Sequence, residues 1–417
     1  MSEWKEVSLS EMGKTITGKT PSSQYPEDFG DEMPFITPSD SFEKKYINKS
    51  DRFLSRSGSD RLKEKIISPN SIMVTCIGSA MGKVAKNSLS SVTNQQINSI
   101  IVNENFDSDY IYYLLKNNYA VLRNAASGST AIPILNKTDF DNLRFKVELN
   151  LNEQRKMVSI LSKIDDKIEI NNQINQELEA MAKTLYDYWF VQFNFPDQNG
   201  KPYKSSGGKM VYHPELKREI PEEWGVENLK DFESKIITGK TPSRANSDNF
   251  GGEIPFITIG DIRGNTFIYR TSESLTDLGA NVQQNKYLPG GSLCVSCIAT
   301  VGEIGFTTEW SHTNQQINSI VFEDETNRYY LYFALKNYFE NANASAKTGN
   351  TFANMNKEDF SGIRIILPSK EIKKNFHEIS EPYFAQIKCL QGQNQELTQL
   401  RDWLLPMLMN GQVKVER

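Results

Sequence analysis

The sequence predicts two homologous α/β domains of the mixed α+β kind, each followed by a long α-helix, with the two helices paired as an antiparallel coiled coil. Three observations support this fold class. The 417 residues exceed what one hydrophobic core usually serves. The chain contains an internal duplication, and it contains two long amphipathic segments. Because the duplication is nearly full length, we expect a pseudo-twofold molecule.

The duplication has a spacing of about 220 residues. Thr-Gly-Lys-Thr-Pro-Ser at residues 17–22 recurs at residues 238–243, a shift of 238 − 17 = 221. Thr-Asn-Gln-Gln-Ile-Asn-Ser-Ile at residues 93–100 recurs at residues 313–320, a shift of 313 − 93 = 220. Solenoid repeats are about 20 to 50 residues long. The period therefore indicates a duplicated domain and not a repeat array.

Each copy begins with a compact domain, which we place at residues 1–149 and 222–368. Short apolar runs, such as Ile72 to Ile77, alternate there with glycine, proline, asparagine and serine. This pattern is typical of short strands joined by turns. We refer to these two predicted domains as the heads.

A long amphipathic helix is predicted after the first head, at residues 150–191. Residues 153–190 contain no glycine or proline, and their apolar side chains recur mostly in steps of three and four. Asn150, followed by Glu153, resembles a capping box at the helix start. At about 1.5 Å per residue the helix would extend roughly 55 Å.

A second long helix is predicted at residues 369–417 with the C-terminal tail, and we expect Pro382 to kink it. Since both helices carry a narrow apolar stripe, we expect the stripes to pack against each other. Residues 192–221, with Gly200, Gly207 and Gly208, are interpreted as a linker.

Composition excludes several classes of protein. The 38% hydrophobic and 24% charged residues are those of a globular chain. No segment has twenty consecutive apolar residues, and the N-terminus does not resemble a signal peptide. We therefore expect a cytoplasmic protein with no membrane association, in which the four cysteines are free thiols. The net charge of −5 argues against a generally basic surface.

Some segments match catalytic motifs but are interpreted as structural. Residues 13–20 satisfy the Walker A pattern, yet the second copy has Ser234 in place of Gly13, and a proline follows directly in both copies. The main alternative for Lys19 and Lys240 is contact with phosphate groups of a nucleic acid, a role common for lysine in such interfaces. Asp197 and Glu215 have the spacing of a magnesium nuclease motif but fall in the predicted linker.

The potential metal ligands are also interpreted as structural. Cys294 and Cys297 form a single CxxC without a second pair of ligands, which argues against zinc. The three histidines, His213, His312 and His377, lack the spacing of a metal site or a catalytic triad. No catalytic residue and no metal site is predicted.

The repeated glutamines, Gln95-Gln96 and Gln315-Gln316, are of a type that can hydrogen-bond adenine. They are identical in both copies, whereas residues that read bases should differ between two heads that read different sequences. We interpret them as structural, with contact to a backbone or a partner as the alternative.

Four features together resemble the specificity subunit of type I restriction-modification enzymes. These are the two Gly-Lys-Thr-Pro-Ser segments, the two Asn-Gln-Gln-Ile-Asn-Ser-Ile segments, Asn-Glu-Gln-Arg-Lys at residues 152–156, and Leu-Leu-Pro-Met-Leu-Met-Asn-Gly at residues 404–411. The resemblance covers nearly the whole chain. It implies that each head is a target recognition domain reading half of a bipartite double-stranded DNA site, while the helices set the spacer between the halves.

The resemblance also implies partners. Two methyltransferase subunits would dock on the helices and bring S-adenosylmethionine, and restriction or motor subunits would bring ATP and magnesium. The chain itself would be non-catalytic and hold no cofactor. The alternative hypothesis is a coiled-coil scaffold without sequence-specific DNA binding, which leaves the duplicated heads unexplained.

Two groups of candidate site residues follow. Basic residues of the heads are candidates for contact with bases or phosphates: Lys19, Arg52, Arg56, Arg61, Lys240, Arg244, Arg263 and Arg270. Large apolar residues near the helix ends, expected to stay exposed after the helices pair, are candidates for docking the methyltransferase subunits: Tyr186, Trp189, Phe190, Trp403 and Leu405.

Overall fold

The computed structural model describes residues 3–78, 81–125, 133–346 and 354–413. The chain forms two compact units. Unit 1 comprises Met1–Ile168 and Leu397–Arg417, and unit 2 comprises Glu169–Glu396. The unit boundaries fall within the two long helices, so each unit contains one head and a part of each helix.

Unit 1 is built from short strands and short helices. Its strands are β1 Trp4–Ser8, β2 Gly13–Thr17, β3 Phe29–Gly30, β4 Met33–Ile36, β5 Tyr46–Ile47, β6 Phe53–Leu54, β7 Ile66–Ile67, β8 Ile72–Thr75, β9 Val84–Asn87, β10 Ser91–Thr93, β11 Ile97–Val102 and β12 Arg144–Glu148. Its helices are α1 Leu9–Met12, α2 Arg56–Arg61, α3 Ser108–Asn117, α4 Tyr119–Asn124, α5 Lys137–Asn142 and the start of α6 Leu151–Tyr186.

Two five-stranded sheets form the first head. Their strand orders are β2-β11-β8-β9-β5 and β3-β6-β4-β10-β7, and β1 pairs separately with β12. Helix α3 begins where the Asp107 carboxylate accepts hydrogen bonds from two backbone N–H groups of its first turn. It buries Tyr110, Tyr112 and Tyr113 in a core that also contains Leu161 of α6. Each such side chain contributes about 1.5 to 3 kcal/mol by leaving water, which fixes α6 to the first head.

Unit 2 repeats this plan. Its strands are β13 Met210–His213, β14 Arg218–Pro221, β15 Gly225–Asn228, β16 Ile236–Thr238, β17 Phe250–Ile257, β18 Phe267–Ile268, β19 Glu273–Leu275, β20 Leu293–Ser296, β21 Ile304–Thr307, β22 His312–Thr313, β23 Ile317–Ile320 and β24 Arg364–Leu367. Its helices are α7 Leu229–Phe232, α8 Ile259–Ile262, α9 Asp277–Asn281, α10 Arg328–Ala346, α11 Lys357–Ser361 and most of α12 Lys370–Met409.

One five-stranded sheet and one strand pair of unit 1 recur in unit 2, whereas the other five-stranded sheet corresponds to the three-stranded sheet β19-β17-β22. The order β16-β23-β20-β21-β18 reproduces β2-β11-β8-β9-β5, and β15 pairs with β24 as β1 pairs with β12. In both units the strand that carries the repeated Asn-Ser pair lies in the middle of three strands. In unit 1 this strand is β11, between β2 and β8, and in unit 2 it is β23, between β16 and β20. The repeated sequence therefore folds into a repeated structure.

Both long helices form. At the start of α6 the Asn150 side chain accepts hydrogen bonds from the backbone N–H groups of Asn152 and Glu153, as the sequence predicts. A π-helical turn, Asp187–Val191, follows α6. Helix α12 continues through Pro382, so this proline does not end the helix.

Within unit 2 the two long helices pack in an antiparallel manner. Asn171 Nδ2 donates to Asn394 Oδ1 at 2.8 Å, while the rings of Tyr186 and Phe376 lie 6.2 Å apart. Rising residue numbers on α6 therefore face falling numbers on α12. In unit 1, Arg401 Nη1 of α12 donates to Asp165 Oδ1 of α6 at 2.9 Å. The coiled-coil geometry of the pair stays a prediction.

The structure corrects the linker interpretation of residues 192–221. This segment contains the antiparallel hairpin of β13 and β14. Phe193, Phe195 and Ile220 are buried in the core of unit 2, and the Phe195 ring stacks on Trp224 at a centroid distance of 4.7 Å. The glycines of the segment form turns, and its scattered apolar residues anchor it to the second head.

The two heads are held to the following helix by different chemistry. In unit 1, Lys86 of β9 is buried and contacts the carboxylate of Asp109 on α3. Lys45 Nζ lies 2.9 Å from Asp109 Oδ2 and donates to Ser162 Oγ of α6 at 3.0 Å. We call Lys45, Lys86, Asp109 and Ser162 the charged anchor.

At a shift of 220, Phe306 replaces Lys86 and Tyr329 replaces Asp109 in unit 2. The Tyr329 ring stacks on Phe384 of α12 at 4.1 Å between centroids, and its hydroxyl donates to Glu381. The Phe306 ring meets Phe384 edge-on at 6.1 Å. We call Phe306, Tyr329, Glu381 and Phe384 the aromatic anchor. Equivalent positions thus stabilise equivalent joints by ion pairing in one unit and by ring packing in the other.

Candidate nucleic-acid interface

The most closely repeated feature of the two heads is a pair of touching turns. In unit 1, the N–H of Lys19 donates to the carbonyl of Thr93 at 2.8 Å, and the Thr20 hydroxyl donates to Gln95 Oε1 at 2.6 Å. Gly18 makes this approach possible, because a Cβ at this position would lie 2.1 Å from the carbonyl oxygen of Asn94. The Gly-Lys-Thr segment is thereby held against the Asn-Gln-Gln turn.

Unit 2 reproduces this geometry within a few tenths of an ångström. The N–H of Lys240 donates to the carbonyl of Thr313 at 3.0 Å, and the Thr241 hydroxyl donates to Gln315 Oε1 at 2.6 Å. A Cβ on Gly239 would lie 2.2 Å from the carbonyl oxygen of Asn314. The structural interpretation of the first glutamine of each pair agrees with this bond.

The second glutamine of each pair is fixed by an asparagine. The N–H of Gln96 donates to Asn94 Oδ1 at 3.1 Å, so the other end of the Asn94 amide must be the donor. That Nδ2 group donates to Gln96 Oε1 at 3.0 Å. Gln316 and Asn314 make the same two bonds at 3.0 and 3.1 Å. In both turns the side-chain oxygens are used internally.

All eight predicted DNA-contacting cations are exposed. Several of them are engaged by their own head. Arg244 makes two hydrogen bonds of 2.8 Å to the Glu273 carboxylate, and Arg263 lies 3.2 Å from Glu303. The Arg61 guanidinium stacks 3.8 Å from the Tyr25 ring centroid and lies 3.5 Å from Asp28.

Other predicted cations are less constrained. Arg52 stacks on the Phe29 ring at 4.1 Å. Within the described ranges, the side chains of Lys19, Arg56, Lys240 and Arg270 have no hydrogen-bond or ion-pair partner. These four, two in each head, can bind an anion without first breaking an internal ion pair.

The Walker A match has the wrong local structure for a phosphate loop. Residues 13–17 form strand β2, and the Gly-Lys-Thr turn does not lead directly into a helix: the next helical turn is the short 3-10 helix Pro26–Asp28. A phosphate loop requires a glycine-rich turn that leads into a helix, whose N–H groups bind the phosphates. The segment is a strand and a turn that support the head.

The metal-site matches are likewise structural. Asp197 Oδ1 accepts from the N–H groups of Asn199 and Lys201 in a turn, and Glu215 pairs with Arg364. No cluster of three metal-ligating side chains occurs within the described ranges.

The cysteine pair lies in apolar surroundings. Cys294 and Cys297 are fully buried, as is Cys76 at the equivalent position of unit 1. Burial raises the pKa of the Cys294 thiol to about 12 and that of Cys297 to about 11. These thiols therefore stay protonated and do not resemble thiolate ligands.

Two of the three histidines stack on tyrosines. The fully buried His312 lies over Tyr287 at 4.1 Å, and desolvation lowers its pKa to about 4. The His377 ring stacks on Tyr329 at 5.0 Å. His213 lies on strand β13 and is half-buried. His312 and His377 therefore have packing roles.

The expected exposure of the docking candidates was wrong for four of the five residues. Tyr186, Trp189 and Phe190 are 3 to 6% exposed in the core of unit 2, where Phe190 packs on Tyr330 and Phe376. Leu405 is buried in the core of unit 1, and Trp403 is 59% exposed. The aromatic residues are covered by α10 and α12 of their own unit.

Sequence reasoning missed a different exposed set. Ile170, Ile174 and Met181 of α6 are 40 to 51% exposed. At 100° per residue these three positions lie within about 40° of one another, so they share one helix face. Ile174 and Met181 belong to the apolar stripe that the sequence predicts to be buried, and periodicity alone does not separate these two positions from core positions.

The protein-family model for the type I restriction modification DNA specificity domain matches residues 1–180 and 221–399, with one match for each head and its adjoining helix. The chain belongs to this family. It is a DNA sequence-specificity subunit, the non-catalytic kind of component in type I restriction-modification systems, as its sequence predicts.

Among its relatives, the type I restriction enzyme HindI specificity subunit of Haemophilus influenzae is 30% identical over 99% of this chain and 100% of its own length. The MjaIX specificity subunit of Methanocaldococcus jannaschii is 27% identical over 99% of this chain and 94% of its own. A solved S subunit from M. genitalium has the same fold, with a TM-score of 0.53 at 15% identity, covering 98% and 96% of the two chains.

No helix in the described part of the chain has the length and apolar character that crossing a bilayer requires.

Proposed function

We propose that each head binds one half of an asymmetric, two-part double-stranded DNA site. The observation that carries this proposal is the combination of one repeated scaffold with different exposed cations. Unit 1 presents Arg56, and unit 2 presents Arg270, on segments that do not correspond in sequence. A shared scaffold can hold both heads on DNA in the same way, while differing side chains select different bases.

The long helices are proposed to set the distance between the two half-sites and to dock two methyltransferase subunits. The exposed apolar face of Ile170, Ile174 and Met181 supports docking on α6, because exposed apolar side chains on one helix face are costly in water. Trp403 and Leu400, three residues apart and 59% and 44% exposed, form a second candidate contact on α12.

In this proposal the chain acts in the cytoplasm and holds no cofactor. The methyltransferase subunits supply S-adenosylmethionine, and restriction or motor subunits supply ATP and magnesium. The chain contributes only the choice of DNA sequence and the docking surfaces.

The test is to express the full chain with a candidate methyltransferase subunit and to map methylated adenines in host DNA by single-molecule sequencing. We expect one asymmetric two-part motif. The double variant Arg56→Ala and Arg270→Ala should relax or abolish this motif, whereas Lys201→Ala, an exposed lysine outside the repeated segments, should leave it unchanged. Methylation that does not depend on the chain would favour the scaffold hypothesis.

A further inference from the structure

The paired turns described above leave hydrogen-bond donors at their outer side. Gln95 Oε1 is occupied by the Thr20 hydroxyl, and Gln96 Oε1 is occupied by the Asn94 amide. Among the described residues, neither glutamine Nε2 group has an acceptor, and the same holds for the Lys19 ammonium. The turn therefore offers donors and a positive charge, with its side-chain acceptors already used.

Unit 2 offers the same set from Lys240, Gln315 and Gln316. Gln95 and Gln315 are both exposed, as are both lysines. The free amide donors of the glutamines and the positive charge of the lysine are together complementary to a ligand that is negatively charged and only accepts hydrogen bonds. The DNA phosphodiester is such a group, whereas base edges present a mixture of donors and acceptors.

Identity between the heads selects among the possible contacts. The side chains that differ between heads can distinguish bases, but an element that is identical in two heads reading different half-sites cannot do so. The DNA component common to both half-sites is the sugar-phosphate backbone.

We propose that Lys19, Gln95 and Gln96 in unit 1, and Lys240, Gln315 and Gln316 in unit 2, form matched phosphate clamps. Each clamp holds a backbone phosphate and sets the position of its head on the duplex, while other residues read the bases. This inference rests on the proposed DNA-binding function and assigns the repeated motif a role in it.

The charge test uses Lys19→Gln and Lys240→Gln in the full chain bound to its methyltransferase subunit. Affinity for a duplex that contains the methylated motif is measured between 0.05 and 0.3 M salt, roughly the range in which phosphate contacts dominate. Each variant should reduce the slope of log K against log salt by about 0.9, and the double variant by about 1.8. At 0.1 M salt one lost contact corresponds to about an eightfold weaker complex.

Lys5→Gln and Lys230→Gln are the matched controls, since both lysines are exposed and lie on β1 and α7, outside the paired turns. The slope should be unchanged in these controls. The methylated motif should also be unchanged in the clamp variants, because a phosphate contact carries no base information.

The amide test separates a clamp from a purely structural turn. Gln95→Glu retains an oxygen that accepts from Thr20 but replaces the outward NH₂ group by a second oxygen. It should leave the melting temperature within about 1 °C and weaken DNA binding at least as much as Lys19→Gln. Thr20→Val instead removes the internal bond and keeps the outward donors. It should therefore lower the melting temperature more than Gln95→Glu does, and weaken DNA binding less than Gln95→Glu does.

Unchanged salt slopes in the lysine variants, equal slope changes in the controls, or loss of one half-site in place of a uniform loss of affinity would each overturn the clamp. A wild-type complex with no preference for its motif would instead overturn the proposed function. The two failures are therefore distinguishable in the same set of measurements.

Discussion

Replacing Asp109 by asparagine should destabilise unit 1 severely, although the change alters only one side-chain atom. The Lys86 side chain is 1% exposed and Lys45 is 9% exposed, and both contact the Asp109 carboxylate, which is 26% exposed. Burial raises the pKa of Asp109, but the hydrogen bonds and charges of Lys86 and Lys45 outweigh it and hold the pKa below its ordinary value. The carboxylate is therefore charged and compensates two buried ammonium groups.

The magnitude follows from the desolvation of Lys86. Removing one partner of a buried ion pair costs about 3 to 5 kcal/mol, because the remaining charge is left without compensation. Since a quarter of Asp109 is exposed, we take the lower end, about 3 kcal/mol. For a domain of this size the thermal transition should fall by about 6 to 12 °C.

Differential scanning calorimetry of the full chain is the assay, because the two units can unfold in separate transitions. The double variant Asp109→Asn with Lys86→Met should recover more than half of the loss, since it removes both the carboxylate and the most deeply buried ammonium. Tyr329→Phe is the matched control in unit 2, where the aromatic anchor keeps its ring packing and loses one hydrogen bond worth about 1 kcal/mol.

The reasoning would be refuted if Asp109→Asn lowered the transition by less than about 2 °C, or if Lys86→Met failed to rescue it. Either result would mean that Lys86 is not stabilised by the carboxylate, and that solvent reaches the ammonium group.

Three further predictions concern other sites. Burial raises the pKa of Glu179, but its lysine partner Lys336 and several hydrogen bonds hold this pKa below the ordinary value. The contribution of Glu179 to stability is therefore present above about pH 4.3 and is lost as the pH falls through the folded-state pKa. In a plot of the urea midpoint against pH, the Glu179→Gln variant should show a smaller decrease on the acid side than the wild type. Gly18→Ala should lower the melting temperature of unit 1 by several degrees, because the added Cβ meets a carbonyl oxygen at 2.1 Å; an unchanged value would show that the turns can separate without cost. Asn171→Leu should cost about 1 to 2 kcal/mol in urea unfolding, since it leaves Oδ1 of the half-buried Asn394 without its donor. Adding Asn394→Leu should restore most of this loss, and a double variant as unstable as the single one would contradict the prediction.

Much of the fold could be predicted because the duplication is explicit. Eight identical residues align β23 of the second copy with β11 of the first, and the alignment of the neighbouring strands follows from this. The long helices could be predicted because periodicity and the Asn150 cap are local signals. The linker prediction for residues 192–221 was wrong because it rested on the glycines of this segment. The burial of Phe195 depends on its stacking with Trp224, which local composition does not indicate.

The candidate sites depended more strongly on contacts between distant residues. Helix periodicity indicates that Trp189 and Phe190 lie near a helix end, but not that α10 and α12 cover them. The sequence likewise could not distinguish Lys86, buried against a carboxylate 23 residues later, from an ordinary exposed strand lysine. Lys19 and Lys240 were easier to identify as candidates, because both lie in a glycine-containing turn that is repeated in the sequence.

The different anchors of the two units limit how recombination can rearrange such a gene. A crossover at the junction of head and helix would bring the buried Lys86 and Asp109 onto a helix that offers Phe384, or would leave Phe306 and Tyr329 facing Ser162. A crossover placed beyond Ser162, or beyond Phe384 in the second copy, carries the anchor along with its head. The heritable module that can be exchanged without loss of stability is therefore larger than the head alone: it includes the opening turns of the helix that follows.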